Sequence, residues 1–540
     1  MGIPPPIKGY AATPMGAFTD RQFDRRVSAL VNARERRVLL EGLKGVEKES
    51  LRVRPDGQLA TTPHPYELGS ALTNEHITTD FSESLIELVT PTFRNNPDLL
   101  QYLNDLHQFV YRHLGDELLW ATSMPCDIAS GDDVPVARYG VSNVGLMKTA
   151  YRNGLRHRYG ALMQAISGVH FNYSFPPLFW EVYASVRRTT DSREFRSACY
   201  FDLLRNYRRH GWLVLYLFGV SPVVGRSFLR DADQSLPLLD ADTAWEPYGT
   251  TLRMSDIGYR NRNQSAVNIS VNSLDEYVRD LRRATETPFA PYQALGVQVG
   301  DEYRQLNANI LQIENEYYSY IRPKRVVRSG ERPSTALRRG GVEYVEVRAL
   351  DVSALDPVGV NLNKMRFLEA FLALCVLRDS LPLGEPEQQQ LDDNHLQVAR
   401  RGREPGLVLQ RDGRPQPLAQ WGAEILDSMQ GLCELLDEGD PARPYSVALQ
   451  VQRDKLEDVE RTPSARLLAE MRRTGETFNQ LALRVSAEHK AHFLQQHPPD
   501  PLRLATLRRE ADESLAAQRR IESTQSDTFA LYLERYFVDG

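Results

Sequence analysis

The chain has 540 residues, of which 41% are hydrophobic and 25% are charged, and its net charge at neutral pH is −6. These values are ordinary for a globular protein and allow a large buried core. The acidic balance argues against a nucleic-acid-binding protein and against a protein that binds an anionic membrane.

The expected compartment follows from the cysteines and from the apolar segments. Cys126, Cys199, Cys375 and Cys433 are scattered and form no Cys-x-x-Cys pair. This usage is typical of a reducing compartment and indicates neither a disulfide framework nor a zinc knuckle. The N-terminus has no apolar run typical of a signal peptide, and the most apolar run, residues 212–220, is about half of what a membrane span needs. We therefore expect a cytoplasmic protein.

The first structured elements lie near the N-terminus. Residues 1–20, rich in Pro, Gly and Ala, are expected to form a loose lead-in, and the spacing of apolar residues predicts a helix over residues 21–42. Residues 45–53 then predict a strand that ends in a turn at residues 55–57. Glu47 and Glu49 are two apart and face the same way on such a strand. They are either a solvated pair or a pair whose repulsion a bound cation offsets.

Residues 76–91 allow two interpretations. Asp80 and Glu83 have the spacing of a helix capping box, but residues 78–90 also fit a strand with Glu83 and Glu87 on one face. Glu87 stands between Ile86 and Leu88, where a charge is unusual unless it has a partner. Residues 95 to about 114 return to helical spacing.

The densest polar cluster falls in residues 139–175. Its basic residues around Tyr151 indicate either a site for an anionic substrate or a solvated helix face. The segment ends in a predicted strand with His170 and Asn172 on one face. A histidine in a strand is commonly structural, so the pattern alone does not make His170 a ligand.

The last predicted strands lie between residues 311 and 348. Residues 255–265 read as a loop, residues 311–318 predict a polar strand, and residues 322–328 form a basic run. Residues 342–348 alternate so that Tyr344, Glu346 and Arg348 share a face. This face could hold a metal and a phosphate, or it could be a solvated strand with an incidental ion pair.

Beyond about residue 356 the chain changes to charged, amphipathic helix. We therefore divide it into a lead-in of residues 1–20, a catalytic sheet region of residues 21–356, and a helical region of residues 357–540 packed on the same domain.

The sequence contains neither a Walker A motif nor a dinucleotide-binding Gly-x-Gly-x-x-Gly after a strand. The candidate acids offer oxygen ligands, which suit Mg²⁺ or Mn²⁺ better than zinc. Carboxylates around Mg²⁺, with Arg and Lys nearby, are what phosphoryl transfer requires. From the residues alone we predict Mg²⁺-dependent phosphoryl transfer on an open β-sheet.

Several long motifs, in the same order, resemble the proteobacterial-type glutamate–cysteine ligases. They span residues 45–53, 76–91, 139–173, 254–259, 313–330 and 340–351. Lys48 departs from the Arg found between the two acids in that family. The resemblance implies an α+β fold with a curved, mainly antiparallel sheet of the glutamine synthetase and guanidino kinase type, wrapped by helices.

The implied reaction is the first step of glutathione synthesis. ATP phosphorylates the γ-carboxylate of L-glutamate, and the amine of L-cysteine then displaces phosphate to give γ-glutamylcysteine. The implied partners are these three small molecules with Mg²⁺ or Mn²⁺, without nucleic acid or membrane, and a monomer is compatible with the sequence. The alternatives are a related glutamate carboxylate–amine ligase with another amine acceptor and an inactive regulatory homologue.

The resemblance also implies roles for individual residues. Arg348 matches a phosphate-binding catalytic cation, and charge alone adds Lys324 as its neighbour. Tyr259 and Tyr318 are expected near cysteine. The implied metal ligands are Glu47, Glu49, Asp80, Glu87, His170 and Glu346. The implied amino-acid pockets comprise Tyr151, Leu155, Gln164, Arg253, Tyr259, Asn315 and Tyr318.

Overall fold

A computed structural model describes residues 21–32, 38–229, 236–258, 267–328 and 330–539. The described residues form thirteen strands and eighteen α-helices. The strands are β1 (Leu43–Val53), β2 (Ile77–Thr79), β3 (Leu85–Val89), β4 (Leu118–Leu119), β5 (Gly168–Ser174), β6 (Val223–Gly225), β7 (Thr243–Trp245), β8 (Gln298–Val299), β9 (Glu302–Tyr303), β10 (Ile321–Lys324), β11 (Tyr344–Asp351), β12 (Val408–Arg411) and β13 (Arg414–Pro417).

The helices are distributed along the whole chain. They are α1 (Arg21–Asn32), α2 (Asn96–Tyr111), α3 (Asn143–Tyr159), α4 (Ala161–Gln164), α5 (Pro177–Val186), α6 (Arg193–His210), α7 (Trp212–Phe218), α8 (Leu274–Glu286), α9 (Ala290–Leu295), α10 (Pro333–Gly340), α11 (Leu362–Leu377), α12 (Glu385–Arg401), α13 (Leu418–Leu436), α14 (Pro444–Glu457), α15 (Pro463–Thr474), α16 (Phe478–Gln495), α17 (Pro501–Thr524) and α18 (Phe529–Asp539). No helix among the described residues is both long and apolar enough to cross a membrane.

The central sheet is antiparallel and open. Its strands follow the order β10-β11-β5-β1-β3-β2, and β4 pairs with the end of β1. Every neighbouring pair in this sheet is antiparallel. The expected α+β fold, a mainly antiparallel sheet wrapped by helices, is therefore confirmed.

One face of this sheet is covered by helices. Val345 and Val347 of β11 and Phe171 of β5 are fully buried in the main hydrophobic core, together with apolar residues of α6, α7, α11 and α13. A buried ion pair ties β1 to α11, because Lys44 Nζ lies 2.6 Å from the Glu369 carboxylate and both side chains are 1% exposed. Removing one partner of such a pair would leave an uncompensated buried charge.

Lys48 points to this helix-covered side. Its ammonium donates to the Ser50 hydroxyl and lies 3.2 Å from His107 Nε2. Burial lowers the pKa of Lys48 to about 7. Glu47 and Glu49 consequently project from the opposite side of β1, because successive strand residues alternate.

Two predicted elements differ from the structure. The helix predicted over residues 21–42 is present as α1 over Arg21–Asn32, residues 33–37 lie outside the described residues, and residues 38–41 form a turn before β1. The polar strand predicted over residues 311–318 is wrong, because Glu314–Glu316 forms a 3₁₀ turn. Glu314 accepts the Ser334 backbone N–H, and Glu316 accepts from Arg158 and Tyr159. These side-chain hydrogen bonds favour the 3₁₀ turn over the strand that the alternation predicts.

The ambiguity at residues 76–91 resolves into two short strands. A turn between β2 and β3 carries Asp80 and Glu83. Glu83 accepts the backbone N–H groups of His64 and Arg138, and it caps no helix. Glu83 therefore holds neighbouring loops together, whereas Glu87 stays on the sheet.

Candidate active site

The register of the sheet brings polar residues from distant parts of the chain onto one face. Glu49 pairs with Glu87 across β1 and β3, and Glu47 pairs with His170 across β1 and β5. Glu346 of β11 stands opposite Asn172 on one side and Arg322 on the other. Directly opposed residues of an antiparallel pair project to the same side. We call this side, defined by these residues, the polar face.

Carboxylates surround the His170 imidazole. His170 Nδ1 lies 3.0 Å from Glu47 Oε2 and 3.8 Å from Glu346 Oε1, and His170 Nε2 lies 3.9 Å from Glu49 Oε1. Ligand atoms of Glu47, Glu87 and His170 all lie within 4.8 Å of one another. Three side chains from three adjacent strands could thus bind one cation.

The acids in this cluster repel each other. Burial raises the pKa of Glu87 well above its ordinary value, and the negative charges of Glu47, Asp80 and Glu49 raise it further. Burial also raises the pKa of Glu49, although a backbone N–H from Gly168 reaches its Oε2 at 2.6 Å. A divalent cation among these groups would offset both the burial and the repulsion.

Glu346 has a different electrostatic environment. Burial acts to raise its pKa, but Arg348 and Lys324 outweigh this effect, and the pKa lies well below the ordinary value. Arg348 Nη1 donates to Glu346 Oε1 at 3.0 Å, and Lys324 Nζ lies 3.6 Å from the same oxygen. Glu346 is therefore ionised, with two cations beside it.

A β-bulge positions Arg348. Between Val347 and Leu350 the pairing of β11 with β5 shifts register by one residue, so Arg348 and Ala349 together stand opposite His170. A bulge of this kind redirects a side chain, which explains how Arg348 comes within 3.5 Å of His170 Nδ1.

The donor set fits a hard divalent cation such as Mg²⁺. Five of the six predicted ligands are carboxylates, and Mg²⁺ prefers oxygen. Glu346 Oε2 is buried and has no hydrogen-bond partner in the described structure, although buried polar atoms are normally paired. A cation bound there would give this oxygen a partner.

Asp80 lies at the edge of the cluster. It follows β2 directly, its side chain is half-exposed, and Arg152 Nη2 lies 3.8 Å from its Oδ1. Arg152 also donates from Nε to the Asp80 backbone carbonyl and stacks on the Tyr139 ring at 4.6 Å. Helix α3 therefore fixes the Asp80 turn through Arg152.

The predicted pocket residues Tyr151, Leu155, Gln164 and Tyr318 come together beside the polar face. Tyr151 and Tyr318 are half-buried and pack against the cluster that contains Leu155. Gln164 Nε2 donates to the Tyr318 hydroxyl at 2.8 Å. Burial raises the pKa of Tyr151 and of Tyr318, so both hydroxyls stay protonated.

The other predicted pocket residues occupy different surroundings. Arg253 is 1% exposed, and its Nη2 donates to the Arg348 carbonyl at 3.0 Å, which connects it to the bulge. Asn315 is exposed in the 3₁₀ turn, and its carbonyl accepts from Arg322 Nη2 at 3.1 Å. Tyr259 lies outside the described residues.

The sequence alone assigns no role to three residues of this region, which are Arg322, Asn172 and Arg152. Arg322 is buried and stands opposite Glu346. Its spacing from Lys324 in the chain could have identified it as a residue of the same face. Asn172 donates to Glu47 Oε1 at 2.8 Å, as expected from the face that it shares with His170. Arg152 is one of the basic residues around Tyr151, for which the sequence indicates only an anionic-substrate site or a solvated helix face.

Comparisons with known proteins agree on one family. The profile of the glutamate–cysteine ligase family matches residues 27–398. A glutamate–cysteine ligase from Pseudomonas putida is 47% identical over 502 residues, which cover 92% of this chain and 95% of the relative. One from Azotobacter vinelandii is 46% identical over 518 residues, covering 95% and 98%.

Two solved structures are also similar. The crystal structure of a glutamate–cysteine ligase from Francisella tularensis in complex with AMP superimposes with a TM-score of 0.87 at 36% identity, covering 93% of this chain and 98% of that chain. A bifunctional glutathione synthetase from Pasteurella multocida shares the fold, with a TM-score of 0.68 at 23% identity over 88% of this chain and 55% of that one.

Proposed function

The chain belongs to the glutamate–cysteine ligase family, and from this membership we propose which of its residues carry out the reaction. The enzyme joins L-glutamate to L-cysteine and forms γ-glutamylcysteine, the first step of glutathione synthesis. The observation that carries the site assignment is the convergence of Glu47, Glu87, His170, Glu346 and Arg348 on the polar face.

Six side chains would bind divalent cations, with Mg²⁺ the expected metal and Mn²⁺ the alternative. The unpartnered Glu346 Oε2 and the raised pKa of Glu87 support this assignment. When bound, the metal would neutralise negative charge on the phosphate oxygens of ATP. The ligands are Glu47, Glu49, Asp80, Glu87, His170 and Glu346.

Arg348 and Lys324 bind the transferring phosphoryl group. The γ-carboxylate of glutamate attacks the γ-phosphorus of ATP, the bond to the bridging oxygen breaks, and ADP leaves with that oxygen. Negative charge is spread over the phosphoryl oxygens during this transfer, and a planar guanidinium can contact two of them. The Arg348 side chain is 21% exposed and Lys324 is 32% exposed, so both cations remain accessible to ATP.

The amino-acid substrates bind beside this site. Arg253 provides a fixed positive charge for a substrate carboxylate, and Tyr151, Gln164 and Tyr318 form the polar wall of the pocket. The cysteine amine then attacks the carbonyl carbon of γ-glutamyl phosphate, the bond between that carbon and the phosphate oxygen breaks, and inorganic phosphate leaves with the proton that the amine gives up. Leu155, Asn315 and Tyr259 complete the proposed pockets, with Tyr259 and Tyr318 near cysteine.

The cellular setting is also a proposal. All four cysteines are buried and free, which supports a reducing, cytoplasmic location. We assign ATP, L-glutamate and L-cysteine as the substrates and a monomer as the working state. We also retain the division into a sheet region (residues 21–356) and a helical region (residues 357–540). In support, the main hydrophobic core contains residues of both regions.

The first test measures ADP release from ATP and Mg²⁺ with L-glutamate, in the presence and absence of L-cysteine, and identifies the product by mass. We expect cysteine-dependent turnover to γ-glutamylcysteine. Turnover only with another amine would keep the phosphoryl-transfer assignment and overturn the acceptor pocket. ATP binding without any turnover would instead indicate a regulatory homologue.

A further inference from the structure

The last helices of the chain cross the outside of the segments that carry the proposed amino-acid pocket. Helix α17, the short connection at residues 525–528 and helix α18 run along this surface. We refer to residues 511–538 as the C-terminal strap. It contacts four separate segments: the loop before β2, helix α3 with its start, residues 303–306, and Arg332 before α10. The first leads to the proposed metal ligand Asp80, and the second carries the proposed pocket residues Tyr151 and Leu155.

The first contact fixes the loop that leads into β2 and Asp80. Ser70 N donates to the Ser514 hydroxyl at 2.9 Å, and Thr73 Oγ1 donates to the Ser514 carbonyl at 2.6 Å. Gly69 has a φ of +86°, and a Cβ there would lie 2.8 Å from the Ala511 Cα. The absence of a side chain at Gly69 therefore lets α17 approach the loop closely.

The second contact caps helix α3, which carries Tyr151 and Leu155. Glu522 Oε1 accepts from Val141 N at 3.0 Å, and Gln525 Oε1 accepts from Asn143 N at 2.7 Å. Asn143 Nδ2 also donates to the Asp527 carbonyl at 2.9 Å. The first N–H groups of a helix have no partner within the helix, so Gln525 satisfies the Asn143 donor that α3 cannot satisfy itself, and Glu522 holds the chain just before the helix.

The third contact is apolar and involves α18. Leu533 is buried against Met147 and Ala150 of α3 and against Leu306, while Phe529 packs edge-on to Tyr303 with ring centroids 4.8 Å apart. Tyr151 borders the same cluster. One side of α18 therefore packs on the helix that carries a proposed substrate residue.

The end of α18 is also bound to Arg332, which precedes α10 and lies beside the turn that holds Asn315. Arg332 Nη2 donates to the carbonyls of Tyr536 and Phe537 at 3.0 and 2.8 Å. Tyr536, Phe537 and Arg332 line a small cavity together with Asn315. The strap thus links α3 to the 313–316 turn.

We propose that the C-terminal strap is a positioning element of the amino-acid pocket, which holds Tyr151 and Asn315 at the distance that glutamate and cysteine require. This inference rests on the proposed assignment of those two residues. Arg348 and Lys324 lie on strands β11 and β10 of the sheet, where both face Glu346. Release of α18 alone, with the α17 contact to the loop before β2 retained, should therefore weaken amino-acid binding and leave ATP binding intact.

The test replaces Leu533 by Asp, which places a charge in the apolar contact and should detach α18. We expect the KM values for L-glutamate and L-cysteine to rise about tenfold, with the KM for ATP and kcat changed by less than about threefold. A uniform loss of stability would not raise the KM values for the two amino acids while leaving the KM for ATP nearly unchanged. Should Leu533→Asp be insoluble, Leu533→Ala is expected to give the same division with about a threefold rise.

Two matched variants serve as controls. Leu533→Met keeps an apolar side chain of similar volume and should restore wild-type KM values. Leu531→Asp changes an exposed residue of the same helix and should have no effect. Unchanged amino-acid KM values in Leu533→Asp, or an equal rise in the KM for ATP, would overturn the proposal.

A separate variant distinguishes the strap from the pocket assignment. Asn315→Ala should raise the amino-acid KM values if Asn315 lines the pocket. If Asn315→Ala raises them and Leu533→Asp does not, the strap proposal fails alone. If Leu533→Asp raises them and Asn315→Ala does not, the strap positions the pocket and the role of Asn315 fails.

Discussion

Glu346 combines features that separate a ligand from an ordinary buried acid. It is 1% exposed, one of its oxygens faces Arg348 and Lys324, and the other has no hydrogen-bond partner in the described structure. An acid that served only to pair with Arg348 would not need the second oxygen to be buried without a partner. We therefore expect the unpartnered oxygen to be a metal ligand.

The first prediction replaces Glu346 by Gln, which keeps the shape and removes the charge. Turnover should fall by at least about 100-fold, because the neutral amide binds the divalent cation beside the reacting phosphate more weakly. Steady-state ADP release measures this effect, and circular dichroism checks the fold. Glu343→Gln, an exposed acid close by in the chain, should retain wild-type turnover. Normal turnover in Glu346→Gln would remove Glu346 from the site.

The second prediction concerns the chemistry of Arg348. Arg348→Lys keeps the positive charge but removes the planar fork that can contact two phosphoryl oxygens. We expect kcat to fall by roughly 10- to 1,000-fold, the loss typical for one transition-state donor. Arg325→Lys, in the run that follows β10, is the matched control and should keep kcat within about twofold of wild type. An undiminished kcat in Arg348→Lys would contradict phosphate binding by Arg348.

At the scale of elements, the start of β5 connects the proposed metal ligand Glu49 to the bulge at Arg348. Gly168 N donates to Glu49 Oε2 at 2.6 Å, and a Cβ on Gly168 would lie 2.6 Å from Arg253 Cζ. Since Arg253 donates to the carbonyl of Arg348, Gly168 connects a proposed metal ligand to the bulge through one buried guanidinium. Only a residue without a side chain leaves room for that guanidinium.

The third prediction follows from this contact. Gly168→Ala should displace Arg253 and raise the KM for L-glutamate by at least about tenfold, because a shift of about 1 Å near the reacting groups is costly. Gly45→Ala on the adjacent strand is the control, since its Cβ would meet no atom closer than 3.6 Å. Equal KM values for the two variants would show that Arg253 can move without consequence.

The elements that the sequence predicts well are those with strict alternation. The strand over residues 45–53, the strand ending at Tyr173 and the strand over residues 342–348 correspond to β1, β5 and β11. Residues 311–318 alternate in the same way but form a 3₁₀ turn, because Glu314 and Glu316 bond to Ser334 and Arg158 in distant segments. A pattern of period two cannot reveal partners that are remote in the chain.

At the scale of the whole molecule, the sequence identifies the candidate ligands but not their proximity. Glu47, Glu87, His170 and Glu346 are spread over about 300 residues, and the strand order places β5 between β1 and β11. Strand order is set by non-local pairing, which periodicity does not encode. The bulge at Arg348 cannot be predicted from periodicity either, because it arises from the register of β11 against β5.

The helical region is joined to the rest of the molecule by a buried lysine. Lys455 of α14 donates to the Leu217 carbonyl of α7 at 2.8 Å and to Gln452 Oε1 at 2.7 Å. Burial and, to a smaller extent, the charge of Lys364 lower the pKa of Lys455 to about 7. Near neutral pH, protonation of this amine therefore lowers the free energy of unfolding.

The fourth prediction uses the sign of this shift. Between pH 7 and 9 the unfolded chain, with a lysine pKa near the ordinary value of about 10.4, binds more protons at this residue than the folded protein does. The free energy of unfolding should therefore gain up to about 1 kcal/mol per pH unit from Lys455 as the pH rises through this window. Below pH 7 both states are protonated, and this pH dependence disappears.

Urea denaturation of Lys455→Met at several pH values from 6 to 9 tests this prediction. Met cannot titrate, so its free energy of unfolding should rise less steeply above pH 7 than that of the wild type. Arg453→Met on the same helix is the control and should keep the wild-type slope, because arginine stays protonated throughout this range. Parallel pH profiles for wild type and Lys455→Met would mean that Lys455 keeps its charge within the fold, held by the two oxygens that it contacts.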